Sequence, residues 1–122
     1  MGLQPRQTVT VLIVEDEPTL LLFAQDFLED AGFRTLTANN ADAAIAILET
    51  HEDIRIIFTD IDMPGSMNGI KLAQAVRNRW PPIQIIATSG HVSAPKLPEG
   101  SKFFDKPFEP QKVIDAMHEM VA

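Results

Sequence analysis

The sequence contains no cysteine. That excludes a disulfide framework, a thiol nucleophile and a zinc–thiolate site, and it fits a reducing cytoplasm. No apolar run is long enough to span a membrane, and the polar start MGLQPRQT lacks the apolar core of a secretory signal. No basic run occurs either. With a formal net charge of −7, the chain is a poor ligand for nucleic acid, whose non-specific binding depends on neutralising phosphates with Lys and Arg. Internal repeats and low-complexity tracts are absent too. What is there is 122 residues, 45% of them hydrophobic, enough for one globular domain that buries a core without staples.

Along the chain, strand-like and helix-like segments alternate. Thr8–Val14 (TVTVLIV) is β-branched and apolar, as a buried strand requires. Pro18 suits a first helical position, and Leu20, Leu21, Ala24, Phe27, Leu28 and Ala31 follow at helical spacing until Gly32 stops the helix. Phe33–Ala38 is a second strand. Asn39 or Asn40 caps a second helix with Ala44, Ile47 and Leu48 on its inner face. Ile54–Thr59 is a third strand that ends at Asp60. A Pro- and Gly-rich loop then leads to a helix over Gly69–Arg79, with Ile70, Ala73 and Val76 on one side; Pro81 and Pro82 end it. Ile83–Ser89 is a fourth strand. Pro95, Pro98 and Gly100 argue against a long fourth helix. Lys102–Lys106 is a short fifth strand, and Pro110 opens a last helix with Val113, Ile114, Met117, Met120 and Val121 inward. Five strands alternating with helices predict a parallel sheet covered on both faces. In such sheets, ligands bind at the carboxyl ends of the strands, near a switch in strand order.

Those ends carry Glu15 and Asp16 after the first strand, Asp60 and Asp62 after the third, Thr88 and Ser89 on the fourth, and Lys106 after the fifth. Gathered carboxylates repel one another in a partly desolvated cleft, and a hard divalent cation or an ammonium relieves that repulsion. A carboxylate is also a nucleophile toward phosphorus, and a cation with an amine stabilises charge on a transferring phosphoryl group. Taken singly, each residue has a plainer role. Glu15, Asp16 and Glu17 suit the positive end of a helix, Asp is common in turns, and Ser and Thr often cap. It is their joint occurrence at successive strand ends that points to chemistry.

The motifs VLIVEDE, FTDIDMPG, IIATSG and FFDKPF closely resemble those of receiver domains of bacterial two-component response regulators, over about Thr8 to Ala122. The resemblance implies a receiver domain over residues 8–122 behind a flexible tail, 1–7. It implies a flavodoxin-like, doubly wound sheet of order 2-1-3-4-5, here with a short or irregular fourth helix. Asp60 would accept a phosphoryl group from a phosphohistidine on a histidine kinase or phosphotransfer protein, with slow self-dephosphorylation. Asp16 and Asp60 would hold Mg²⁺ through their side chains, Glu15 mostly through water and Asp62 through its backbone carbonyl. Ser89 matches the switch hydroxyl, Lys106 the family's lysine, and Phe103 the switch aromatic. The chain ends with its last helix, which implies a domain that acts on a separate, unidentified output protein, or serves as a phosphate sink or relay, in the cytoplasm.

Some features depart from the common pattern. Glu15 stands where Asp is more usual, Asn68 where Asp is frequent, and Phe103 in place of Tyr. The loop DMPGSMNG is one residue longer than usual, as in receivers of hybrid kinases or some that stand alone. Two other functions are compatible with fewer of the residues. Asp60-Ile61-Asp62 resembles the DxD nucleophile of haloacid-dehalogenase-like phosphatases, although there the motif follows the first strand. A degenerate receiver would act as a scaffold only, but the acids, hydroxyl and lysine are all present. His51, His91 and His118 lack ligand spacing and are expected at the surface, with His91 near the mouth of the site. Met117 and Met120 are expected in the core, and Trp80 over a helix end.

Overall fold

The computed structural model describes residues 8–65, 67–91 and 95–122; the expected tail, 1–7, lies outside them. Strand β1 (Thr10–Val14) is buried along its whole length. It lies between β2 (Arg34–Ala38) and β3 (Ile54–Asp60), and β4 (Gln84–Ser89) and β5 (Lys102–Asp105) follow. All pairings are parallel and the order is β2-β1-β3-β4-β5. The central strands are apolar on both faces because helices cover both faces. Edge strands β2 and β5 are only partly buried. β1, β2 and β4 each begin one or two residues later than the apolar pattern suggests, and β5 stops at Asp105, one residue short of the expected Lys106.

Helices begin where their caps dictate. α1 (Pro18–Asp30) has Pro18 in its first turn, and the Glu17 carboxylate accepts from the N–H groups of Thr19 and Leu20. It ends before Gly32, whose φ of 96° is left-handed. α2 (Ala41–Thr50) is capped by Asn40, which accepts from Ala43 N at 2.7 Å. α3 (Gly69–Arg79) is capped by Asn68, which accepts from Lys71 N at 3.0 Å. Asn serves this role as well as Asp does. α4 (Pro110–Met120) again opens on proline.

Two cores result. Leu12, Val14, Ile57 and Ile85 pack with Ala44 and Leu48 of α2 and with Leu72 and Val76 of α3. On the other face Val11, Ile13, Phe58 and Ile86 pack with Ala24 and Leu28 of α1 and with Val113 and Met117 of α4. Met120 packs at the edge of this second core. Leu20 departs from the expected inner face and is 41% exposed. It lies on the line of Ala24 and Leu28 but one turn earlier, where it lines a cavity with Ile13, Phe58 and Asp60.

Among the described residues, no helix lies between β4 and β5. Residues 95–98 lack regular structure and 99–100 form a turn, as Pro95 and Pro98 require; residues 92–94 lie outside the described set. Arg77 of α3 ties this connection down. Its guanidinium donates to the carbonyls of Pro81 (2.8 Å), Ile83 (3.3 Å) and Glu99 (3.3 Å). Trp80 caps the end of α3, packs against the first core and lies under the Arg79 guanidinium at 4.4 Å.

Candidate functional site

Parallel pairing brings the carboxyl ends of the strands to one edge. Backbone bonds extend the ladder past the strands: Glu15 N donates to Ala38 O (3.0 Å), Ile61 N to Thr88 O (2.8 Å) and Lys106 N to Ser89 O (2.9 Å). The chain goes from β1 outward to β2 and then back across to β3. The crevice at that reversal, between the ends of β1 and β3, is where such folds bind ligands.

Three of the expected acids meet in that crevice. Glu15, Asp16 and Asp60 present carboxylate oxygens within 4.8 Å of one another. Asp16 is exposed, while Glu15 and Asp60 are buried, 7% and 4% exposed. Lys106 Nζ lies between these two, 3.1 Å from Glu15 Oε1 and 3.3 Å from Asp60 Oδ1. Burial pushes the Asp60 carboxyl above its usual range, and the Lys106 ammonium beside it only partly opposes this. Burial pushes Glu15 up too, the N–H of Glu17 opposes, and the charge of Asp60 adds to the rise. Burial pulls Lys106 down, but Asp60 and Glu15 more than offset it, so its net shift is upward. One ammonium therefore does not compensate this set of acids. Hard oxygen donors short of positive charge are the donor set a divalent cation such as Mg²⁺ prefers.

The acid run after β1 divides by role. Glu17 is the cap of α1, whereas Glu15 turns inward, with Oε2 accepting from Glu17 N at 3.1 Å. Asp62 is not one of the three gathered acids. Its N–H donates to Asp60 Oδ1 at 3.2 Å, and its carboxylate points toward β4. There Ser89, which is 1% exposed, donates its hydroxyl to Asp62 Oδ2 at 2.6 Å. Phe103 is half-buried on β5, in register with Ala87. His91 is exposed, and its N–H donates to Ser89 Oγ at 3.0 Å. His51 and His118 are exposed as well, His118 stacking on Phe33 at 5.2 Å.

Two features of the site escaped the pattern of the sequence. Gly69 is pressed against the chain at Asp60, and a Cβ there would come 2.7 Å from Ile61 Cα. The only sequence signal was a glycine directly after the capping Asn68. The other is a cavity of about 380 Å³ beside Asp60 and Lys106, with Leu20, Phe23, Phe58 and Phe108 among its walls. The phenyl rings of Phe23, Phe27, Phe58 and Phe108 pack edge-to-face beneath it.

Residues 11–118 match the sequence model of the response regulator receiver domain. The hydrogenase transcriptional regulatory protein HoxA of Cupriavidus necator is 34% identical over 121 residues, 92% of this chain and 24% of that protein. The sensor histidine kinase GacS of Pseudomonas protegens is 33% identical over 102 residues, 75% of this chain and 11% of that protein. The chain thus spans a quarter or less of either relative. A response regulator receiver protein from Sinorhizobium medicae superposes with a TM-score of 0.86 at 29% identity, covering 94% of this chain and 95% of that one. A receiver domain protein from Clostridium thermocellum superposes with a TM-score of 0.84 at 25% identity, covering 93% and 94%. The relatives include both sensor kinases and a two-component response regulator. This chain belongs to the response regulator receiver domain family, the signalling module of two-component systems.

Proposed function

We propose that this receiver domain takes a phosphoryl group on the Asp60 carboxylate, from a phosphohistidine of a histidine kinase or phosphotransfer protein in the cytoplasm. The observation that carries the reading is a buried carboxylate at the end of a central strand, 3.3 Å from a lysine ammonium and grouped with two further acids. A carboxylate oxygen attacks phosphorus as the bond from phosphorus to the imidazole nitrogen breaks, and the departing nitrogen keeps the electron pair and takes a proton. Water reverses the state by attacking phosphorus, which releases inorganic phosphate and restores the carboxylate. Lys106, already beside Asp60, follows the charge that develops on the phosphoryl oxygens. Glu15, Asp16 and Asp60, with the backbone carbonyl of Asp62, would hold Mg²⁺. Bound there, it neutralises charge between the acids and the phosphoryl oxygens. Ser89 then offers its hydroxyl to the phosphoryl group, and Phe103 follows with the β4–β5 surface, on which an output protein docks.

Intact mass after incubation with acetyl phosphate and Mg²⁺ tests this. The expected result is a transient gain of one phosphoryl group, lost in Asp60→Asn. Undiminished labelling of Asp60→Asn would place the acceptor elsewhere. No labelling of the native chain by acetyl phosphate or by any phosphohistidine protein would make it a scaffold.

A further inference from the structure

We propose that the Asp62 carboxylate holds the Ser89 hydroxyl in its resting position, and that breaking this contact is a required step of the switch. The contact stands on the geometry alone; its consequence rests on Asp60 being the phosphoryl acceptor. Ser89 Oγ donates to Asp62 Oδ2 at 2.6 Å, across 27 residues of sequence. The same carboxylate oxygen accepts from Gly90 N at 3.3 Å, so Asp62 grips both the side chain and the backbone at the end of β4. A short hydrogen bond to a carboxylate is of the stronger, charge-assisted kind.

Asp62 is therefore a positioning residue with two attachments. Its N–H holds Asp60 Oδ1 and its side chain holds Ser89. A serine hydroxyl has one proton to donate. While that proton is given to Asp62, it is not given to a phosphoryl oxygen on Asp60. A phosphoryl group on Asp60 competes for the proton, and its negative charge repels the Asp62 carboxylate. The side chain at position 62 thus sets how readily phosphorylation becomes a change of shape: a carboxylate holds the resting state firmly, a neutral amide less so, and a methyl group not at all.

The test uses the whole chain as native protein, Asp62→Asn, Asp62→Ala, Ser89→Ala and the Asp62→Ala/Ser89→Ala double variant. Backbone amide spectra are recorded without phosphodonor, then during titration with beryllofluoride, a phosphoryl mimic, at saturating Mg²⁺. In Asp62→Ala, the resting amides of Ser89, Gly90 and His91 should already move toward their mimic-bound positions. The half-saturating mimic concentration should fall about tenfold, the change expected for losing one hydrogen bond to a charged group. Asp62→Asn should lie between, which keeps the test alive if the alanine variant folds poorly. In the Ser89→Ala background, removing Asp62 should produce no such gain.

An equal gain with and without Ser89 would reduce Asp62 to a bystander charge and overturn the proposal. So would resting amides at 89–91 that ignore the substitution. If the native chain takes neither the mimic nor a phosphoryl group from acetyl phosphate, the acceptor reading fails and the switch falls with it. If the native chain is labelled but all variants titrate alike, only the role of Asp62 fails.

Discussion

Lys106 Nζ sits 3.3 Å from Asp60 Oδ1 in the unphosphorylated protein. Its second carboxylate contact, to Glu15 Oε1, is at 3.1 Å. One ammonium therefore serves two acids that are both short of compensating charge. This shared cation sets what substitution, pH and metal do to the domain.

Removing Asp60's charge should stabilise the metal-free protein near neutral pH. Asp60 and Glu15 are raised from 3.8 and 4.5, chiefly by burial. A raised carboxyl contributes stability that is full below its unfolded value and is lost as pH rises through its folded value. Asp60→Asn should thus unfold at higher temperature than the native chain at pH 7, with the gap closing as pH falls toward 4. Calorimetry at several pH values in chelator checks this. A variant less stable than native at pH 7 would show that Lys106 outweighs burial.

Divalent metal should raise stability by mass action. At a hundred times its Kd, a ligand specific to the folded state adds about 2.7 kcal/mol. Mg²⁺ should therefore raise Tm, and Asp16→Asn should shrink that rise because it removes one of the three gathered carboxylates. Equal Mg²⁺ dependence in Asp16→Asn would mean that the metal binds elsewhere.

Lys106→Ala should destabilise the metal-free chain at neutral pH. It leaves two buried carboxylates facing each other without a cation. The Lys106 side chain is 23% exposed, so the cost lies between those of surface and fully buried pairs, on the order of 1–3 kcal/mol. Asp60 should still be labelled by acetyl phosphate, but the amides at the ends of β4 and β5 should respond less to the mimic. Denaturant titration and the same spectra measure both effects. A full spectral response in Lys106→Ala would remove it from the coupling.

Gly69→Ala pits two effects against each other. Alanine in place of glycine inside a helix gains up to about 1 kcal/mol. Here the new Cβ would press on the backbone at Asp60 and Ile61, and forcing atoms into a packed site costs about 1–3 kcal/mol. The steric term should win, lowering stability and slowing labelling of Asp60 as its loop shifts. A more stable, normally labelled Gly69→Ala would show that α3 does not need this close approach.

Local pattern was enough to read the elements. Apolar runs such as Val11–Val14 mark strands buried on both faces. Pro18, Pro110 and the asparagine caps mark helix starts, and the prolines after His91 argue against a long helix before β5. These signals are local because propensity and capping act over one or two turns of chain. The candidate site residues could be placed too, since Asp60 and Ser89 end their strands and Lys106 directly follows one. Only the tertiary structure decided which of them meet. Glu15 and Lys106 are 91 residues apart, and no local signal sets that encounter; it follows from the strand order and from β4 and β5 ending in register. The direction of the Asp62 carboxylate was likewise undetermined, because a turn residue's side chain goes wherever a donor is offered, and that donor, Ser89, arrives on another strand. Leu20 has the spacing of a core residue, yet it is exposed because spacing gives the face of a helix and not whether that face meets a packed neighbour or, as here, a cavity.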